Sequence, residues 1–396
     1  MKRATRDADL LRFAALCVCI MLLSDKSYGS LWETPDWALL GTLNGSVGYD
    51  SNLTLERGGP SAVEIIANPV LALERHNSDT SFDVIGGVTE TEFADSNLPF
   101  ESDFSFGANY SYPKADNTDP KGLVIIPIFE ASASWVRSSQ PNEFLGARVP
   151  YDLTTLMADG YVTLTGKLGI RGTGELQSYT YNSTALNDTY LGQGSVGLAY
   201  SETSDTQVSL NLGTVIGHSI PNDPVNTVSN VRGTEIDVTA RIQGQVTDKI
   251  TGSAYGGFGS VRYTGGYATS TDLPVAGADL TWGIDTRRTL ALGAYTGEVY
   301  SPNGEASESS HAFVSFTDVI INEWELDVLT GPERFEYGRQ VSLRTDEGWN
   351  SSVGFAYSPS KRFRVSLSLD YYYQTSTVTA FKYAHEILTL GASYQF

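Results

Sequence analysis

Apolar and polar residues alternate along this chain with a period of two, from about residue 40 to the last residue. Between Thr234 and Val246, one face carries Ile236, Val238, Ala240, Ile242, Gly244 and Val246. The opposite face carries Glu235, Asp237, Thr239, Arg241, Gln243 and Gln245. From Arg362 to Tyr373, the row Phe363, Val365, Leu367, Leu369, Tyr371 and Tyr373 opposes Arg364, Ser366, Ser368 and Asp370. In Lys167 to Tyr179, Leu168, Ile170 and Leu176 oppose Lys167, Arg171, Glu175 and Gln177. A helix repeats every 3.6 residues and would scatter these faces, so the pattern predicts strands.

About eighteen strands are predicted, at 43–55, 62–75, 80–93, 101–112, 122–136, 156–166, 168–180, 190–200, 206–217, 233–246, 249–263, 275–285, 288–300, 310–318, 322–336, 347–357, 361–375 and 384–396. Many are longer than the ~5–6 residues usual in soluble sheets. They match the ~9–11 residues that a tilted strand needs to cross a bilayer.

The connections carry a second pattern. Tight ones include His76 to Asp79, Gly166-Lys167, Ser201 to Asp205, Thr247-Asp248, Thr286-Arg287 and Ser358 to Ser360. Longer polar ones fall between them: Arg137 to Thr155, Tyr181 to Thr189, His218 to Arg232, Gly265 to Pro274, Ser301 to Ser309 and Tyr337 to Asp346. Pro113 to Lys121 is the main lapse, too long for its short class. Sorting of this kind is expected when alternate turns lie on opposite sides of a membrane. The predicted fold is all-β: one closed antiparallel transmembrane β-barrel of about 18 strands, with 16 the alternative, short periplasmic turns and longer extracellular loops. Closure follows from hydrocarbon itself, where a sheet satisfies every N–H and C=O only if no edge remains. Tyr371 to Tyr373, Trp282, Trp324, Trp349 and Tyr394 fall near strand ends, where interfacial aromatic girdles are expected.

The N-terminus reads differently. Lys2, Arg3 and Arg6 precede a mostly apolar run from Leu10 to Leu23, and Ser27-Tyr28-Gly29 supplies small residues for cleavage. This pattern predicts a signal peptide over 1–29, a short lead-in over 30–42 and a barrel over 43–396. No later segment approaches ~18 consecutive apolar residues, so no helical span is expected. Both cysteines, Cys17 and Cys19, lie inside the apolar run. Structural disulfides, Cys-ligated metals and thiol nucleophiles are therefore excluded from the barrel.

Charge narrows the function. The chain carries 26 Lys plus Arg against 46 Asp plus Glu, a formal −20. That balance repels phosphate backbones and argues against nucleic-acid binding. Strand phase predicts Glu130, Arg171, Glu175, Glu235, Asp237, Arg241, Glu325, Asp327, Arg364 and Asp370 as pore-lining residues. Acidic groups outnumber basic ones among them, which implies a weak preference for cations.

At the chain end, Leu388, Leu390, Tyr394 and Phe396 occupy alternate, apolar positions. The segment resembles the C-terminal strand of bacterial outer-membrane proteins. That resemblance implies that Phe396, Tyr394, Leu390 and Leu388 are read by the barrel-assembly machinery, and that lipid and lipopolysaccharide surround the protein. Gly48-Tyr49-Asp50-Ser51-Asn52-Leu53 is similar to the opening strand of the β-barrel porin 2 group. Turns at Tyr200 to Asp205 and Tyr357 to Lys361 are similar to hairpins of that group. The resemblance covers roughly residues 41–396 and implies a pore or envelope role without chemistry.

Other motifs fail on context. Gly192-x-Gly194-x-x-Gly197 lies in an alternating strand with no helix after it, unlike a dinucleotide site. Ser358-Pro359-Ser360-Lys361 is a Pro-containing turn without the partner motifs of an acyl-transfer site. His76, His218, His311 and His385 lack metal-ligand spacing, so no metal or cofactor is expected. Asn222, Asp223 and Asn226 read first as a solvated turn and only second as a divalent-cation site. The sequence thus points to a passive porin-like channel in the outer membrane. The alternatives are a structural or exopolysaccharide-associated barrel without an open pore, or a barrel-borne hydrolase using His385. A gated, energy-coupled transporter is disfavoured, because about 13 residues separate the cleavage site from the first strand.

Overall fold

The computed structural model describes residues 30–396 apart from 56, 77–79, 95–99, 113–127, 140, 143–146, 184–185, 202–205, 222–230, 265–270, 301–305, 322 and 338–343. Eighteen long strands run through it: β1 (Trp37–Asp50), β2 (Ala62–His76), β3 (Ser81–Ala94), β4 (Glu101–Tyr112), β5 (Ile128–Ser138), β6 (Tyr151–Thr163), β7 (Leu168–Tyr181), β8 (Asn187–Ser201), β9 (Thr206–Pro221), β10 (Val231–Thr247), β11 (Ile250–Thr264), β12 (Thr271–Gly283), β13 (Arg288–Tyr300), β14 (Ala306–Ile321), β15 (Trp324–Tyr337), β16 (Arg344–Ser360), β17 (Phe363–Ser376) and β18 (Tyr383–Gln395). Each pairs antiparallel with its sequence neighbours. The ring closes between β1 and β18, from Thr42 opposite Gln395 to Asp50 opposite Ile387. A two-residue strand, Trp32–Glu33, adds to the start of β1, and Pro141–Asn142 pairs with Ala147–Arg148 between β5 and β6.

Connections sort by end. At the end where β1 begins and β18 finishes, the terminus end, every connection is two to four residues long except 113–127. At the opposite, loop end they run from five to twelve residues. The signal-peptide segment, the lapse at Pro113 to Lys121 and the turn with Asn222, Asp223 and Asn226 fall outside the described residues. The turn between β12 and β13 shows how the short class is held. Arg288 donates to Asp285, the backbone N–H groups of Arg287 and Arg288 bond the same carboxylate, and together they hold it down to about 2. Its folded value is depressed, so this contribution is present above the usual carboxylate range and is lost as pH falls through about 2.

Boundaries differ from the periodicity in informative places. β1 starts at Trp37 rather than 43, because the consecutive apolar residues Ala38-Leu39-Leu40 hide the alternation. Residues 51–55, predicted as strand, belong to a loop that turns back on itself, with the Leu53 N–H donating to the Pro60 carbonyl (2.9 Å). The connection expected over Arg137 to Thr155 shrinks to 139–150, since Arg137 and Asp152 form a cross-strand ion pair (2.9 Å) that continues the ladder.

The barrel is inverted relative to a soluble one. Val238, Leu212 and Phe258, neighbours on β9 to β11, point outward and are 49%, 50% and 79% exposed. Leu176, Val196, Leu210, Ile236, Ile242, Val314, Val353, Leu367 and Leu390 share that exposed outer face. An apolar band of this extent suits hydrocarbon rather than water. Trp349 and Tyr373 face each other across strands toward the loop end, and Trp282 and Tyr394 flank the band toward the terminus end. Tyr372 departs from the expected girdle. It points inward, because its phase is opposite to that of Tyr371 and Tyr373.

Leu388 and Leu390 lie on the outer face, about half exposed. Phe396 is tucked in instead, 6% exposed, edge-on to Tyr394 at 5.0 Å and close to Gly41 and Leu31. Since every strand is hydrogen-bonded on both sides, the folded protein should migrate differently in heated and unheated gel samples. Identical migration in the two would contradict closure.

Candidate functional site

Inward positions build a polar lumen. A cavity of about 1080 Å³ is bordered by Glu130 on β5, Arg171 and Glu175 on β7, and Glu235, Asp237 and Arg241 on β10. These are six of the ten residues singled out by strand phase. The other four lie on the opposite arc, also facing inward. Arg364 pairs with Glu325 (3.1 Å), Asp327 accepts from Thr317 (2.8 Å), and Asp370 accepts from Ser352 (2.6 Å). Beside them a smaller cavity of about 340 Å³ is lined by Asn44, Ser46, Asn68 and Arg364.

Residues the phase argument did not name complete the wall. Asp159 on β6 binds Arg171 (2.8 Å), and Asn109 donates to Asp83 (3.1 Å). Arg241 donates to Ser253 (3.1 Å), whose hydroxyl bonds Asp279. Around Asp159, the apolar Met157 shares the inward phase, which blurs the pattern that marks other strands.

The arginine of the Arg171–Asp159 pair is 54% exposed. Such pairs contribute about 0–1 kcal/mol, so the wall does not depend on them for stability. Their effect is on the field that a solute meets. Inward carboxylates outnumber inward guanidiniums among the described residues, so the lumen is net acidic.

Several long inward side chains lie flat against the wall. A Cβ at Gly213 would strike Asp237, one at Gly259 would strike Glu235, and one at Gly277 would strike the ring of Tyr255. Glycine on the neighbouring strand thus gives each side chain a bed and leaves the lumen wide. The Gly192-x-Gly194-x-x-Gly197 motif lies within β8, and its third glycine plays the same part for Asn211.

The loop end of the lumen is packed. Asp50 accepts from the Asn52 N–H (2.7 Å) and lies 2.9 Å from His385 Nε2. The Asn52 amide reaches the Ala384 carbonyl (3.0 Å), tying the first loop to β18. Leu53, Ala62 and Phe93 form a small apolar core beneath that loop. Two strands from the seam, on β16, Arg344 and Asp346 make a buried ion pair. The Arg344 guanidinium lies 3.2 Å from the Phe381 ring centre and 4.3 Å from that of Tyr337. Gln374 holds the Phe381 carbonyl (2.9 Å), so the short 3₁₀ turn Thr379–Phe381 is held against the inner wall at the loop end.

The Asp50 to Leu53 motif therefore ties the first loop to β18 at the loop end. His385, the residue named for hydrolysis beside a serine or an aspartate, meets Asp50. Among the described residues no group of three metal-ligating side chains occurs.

No protein-family model matches the chain, and no curated protein matches it. Among solved structures it is similar to the copper transporter OprC, at 10% identity and a TM-score of 0.47, with 87% of this chain and 62% of that one covered. The chain thus spans less than two thirds of OprC. It is also similar to OccAB3 of Acinetobacter baumannii, at 10% identity and TM-score 0.46, covering 92% of this chain and 100% of that one. OpdK of Pseudomonas aeruginosa, solved with vanillate, is similar at 12% identity and TM-score 0.47, covering 90% and 98%.

Proposed function

We propose that the protein is an outer-membrane channel through which ions and small polar solutes diffuse, with cations preferred. The observation that carries this reading is the inversion of the barrel, apolar band outside and charged, polar wall inside. The ten phase-selected residues are proposed to line the pore, with Asp159, Asp279 and Asp83 added from the same face. Acidic surplus in a confined wet lumen concentrates cations and raises their passage over anions. The Tyr49-Asp50-x-Asn52 motif keeps the β-barrel porin 2 group as the finer assignment. Phe396, Tyr394, Leu390 and Leu388 are proposed as the signal for the assembly machinery. Lipopolysaccharide and lipid are the proposed surroundings.

A second reading, a barrel without a standing open pore, is favoured by one observation: the packed loop end. Refolded protein in planar bilayers separates the two. The channel reading expects discrete current steps, and a zero-current potential in a KCl gradient of the sign that marks cation preference. Absence of steps would support the closed barrel, and an anion-selective potential would refute the charge assignment.

A further inference from the structure

One row of inward residues crosses the lumen from end to end. Along the strand registers, Ser209 faces Arg241, then come Tyr255, Gly277, Tyr295, His311, Glu333, Gly348, Gln374 and Tyr383. Ser209 sits at the terminus end of β9, and Tyr383 opens β18 at the loop end. The row therefore climbs the wall diagonally.

Its middle has a particular chemistry. The Tyr255 ring lies over Gly277, flat along the wall, and Tyr295 stands on the other side of that glycine. Tyr295 meets His311 edge to face at 82°. Tyr255, Tyr295 and His311 all border the large cavity. Next to His311 comes Glu333, whose carboxylate lies over Gly348 and accepts from the Tyr372 hydroxyl through Oε1. Arg334 points to the other face and pairs with Glu336 (2.6 Å) and Glu347 (4.0 Å). Among the described residues, no Lys or Arg makes an ion pair with Glu333.

We infer that Tyr255, Tyr295, His311 and Glu333 form a binding station for organic ammonium ions that carry a ring or apolar body. The inference rests on the channel reading and names its solute class. An ammonium group is attracted both by a carboxylate and by the negative faces of aromatic rings. Tyr295 and Glu333 are two strands apart, about 10 Å between their backbones. That span suits a ring resting on Tyr295 and His311 with its ammonium at Glu333. An anion of the same shape would meet the carboxylate instead and be repelled. The cationic member of the row, Arg241, lies five strands from Glu333, about 24 Å between backbones, too far to neutralise its carboxylate.

Phenethylammonium is the probe, and phenylacetate is its anionic counterpart. In bilayers, phenethylammonium should reduce the potassium current in a saturable way, and phenylacetate should not. Glu333→Gln and Tyr295→Leu should each raise the half-blocking concentration about tenfold. Glu336→Gln removes a charge of the same sign on the outer face, beside Arg334, and should leave it unchanged. Calorimetric titration of the folded barrel in detergent gives a second readout that needs no current. Binding by titration without any current would keep the station and remove the channel reading. A current that phenethylammonium does not block, or blocks no better than phenylacetate, would overturn the station. So would equal weakening by Glu336→Gln, which would make the effect one of overall charge.

Discussion

Val238→Arg should prevent the barrel from assembling, whereas Asp237→Arg, one residue earlier, should assemble and turn the pore toward anions. Val238 sits mid-strand on β10, outward, between Leu212 and Phe258. A cation there faces hydrocarbon near the bilayer midplane, at a cost of about 2–4 kcal/mol. That is roughly one and a half to three powers of ten in the folded population. The side chain has no path to water except along its own length. Asp237 points into the lumen, resting on Gly213 beside the 1080 Å³ cavity. An arginine there stays hydrated and reverses a charge beside Glu235 in the cavity wall. Heat-modifiable migration reports assembly, and the zero-current potential reports selectivity. If Asp237→Arg failed to assemble while Val238→Arg was tolerated, the inside and outside faces would be exchanged. If both assembled without changing permeability, the barrel would stand and the open channel would not.

These two positions were legible in the sequence for a physical reason. In a wall one residue thick, burial alternates with every residue, so phase alone assigns each side chain to lipid or to water. The strand around Thr234 to Val246 alternates without a break, and its orientation follows directly. Strand number was legible as well, because the connections alternate in length. Phase does not report which inward residues meet. The pairing of Arg171 with Asp159 depends on the register between β6 and β7, and the Tyr255-to-Glu333 row depends on registers accumulated over five strands. Contacts between loops and wall were least legible. Asp50 and His385 are 335 positions apart, and Leu55 takes a left-handed backbone (φ 54°) that local sequence does not favour. That conformation costs energy for a non-glycine residue and persists where packing holds it. Leu55 is 3% exposed, so burial provides the hold.

The loop-end packing yields the other large expected effect. Arg344→Met should release the turn at Thr379–Phe381 and raise the single-channel conductance, with the barrel still assembled. In the native protein the Arg344 guanidinium does three things at once: it balances Asp346, and it lies against Phe381 and Tyr337. Asp346 is 1% exposed, so removing its partner leaves a buried carboxylate uncompensated. Breaking a buried pair in that way costs about 3–5 kcal/mol. The cost is avoided if the turn lifts and water reaches Asp346. A difference of about 3 kcal/mol changes the ratio of lifted to seated turn by more than a hundredfold. Barrel assembly should survive, because Arg344 is the first residue of β16 and the ladders of β15, β16 and β17 continue below it. The double substitution Arg344→Met with Asp346→Leu removes both charges and should restore much of the closed mouth, since no buried charge then drives the turn away. Conductance that rises in the single variant and falls back in the double one marks the turn as the closing element. Equal conductance in all three proteins would mean that the mouth is open past the turn, and that the packing around Phe381 stabilises the rim without restricting flow.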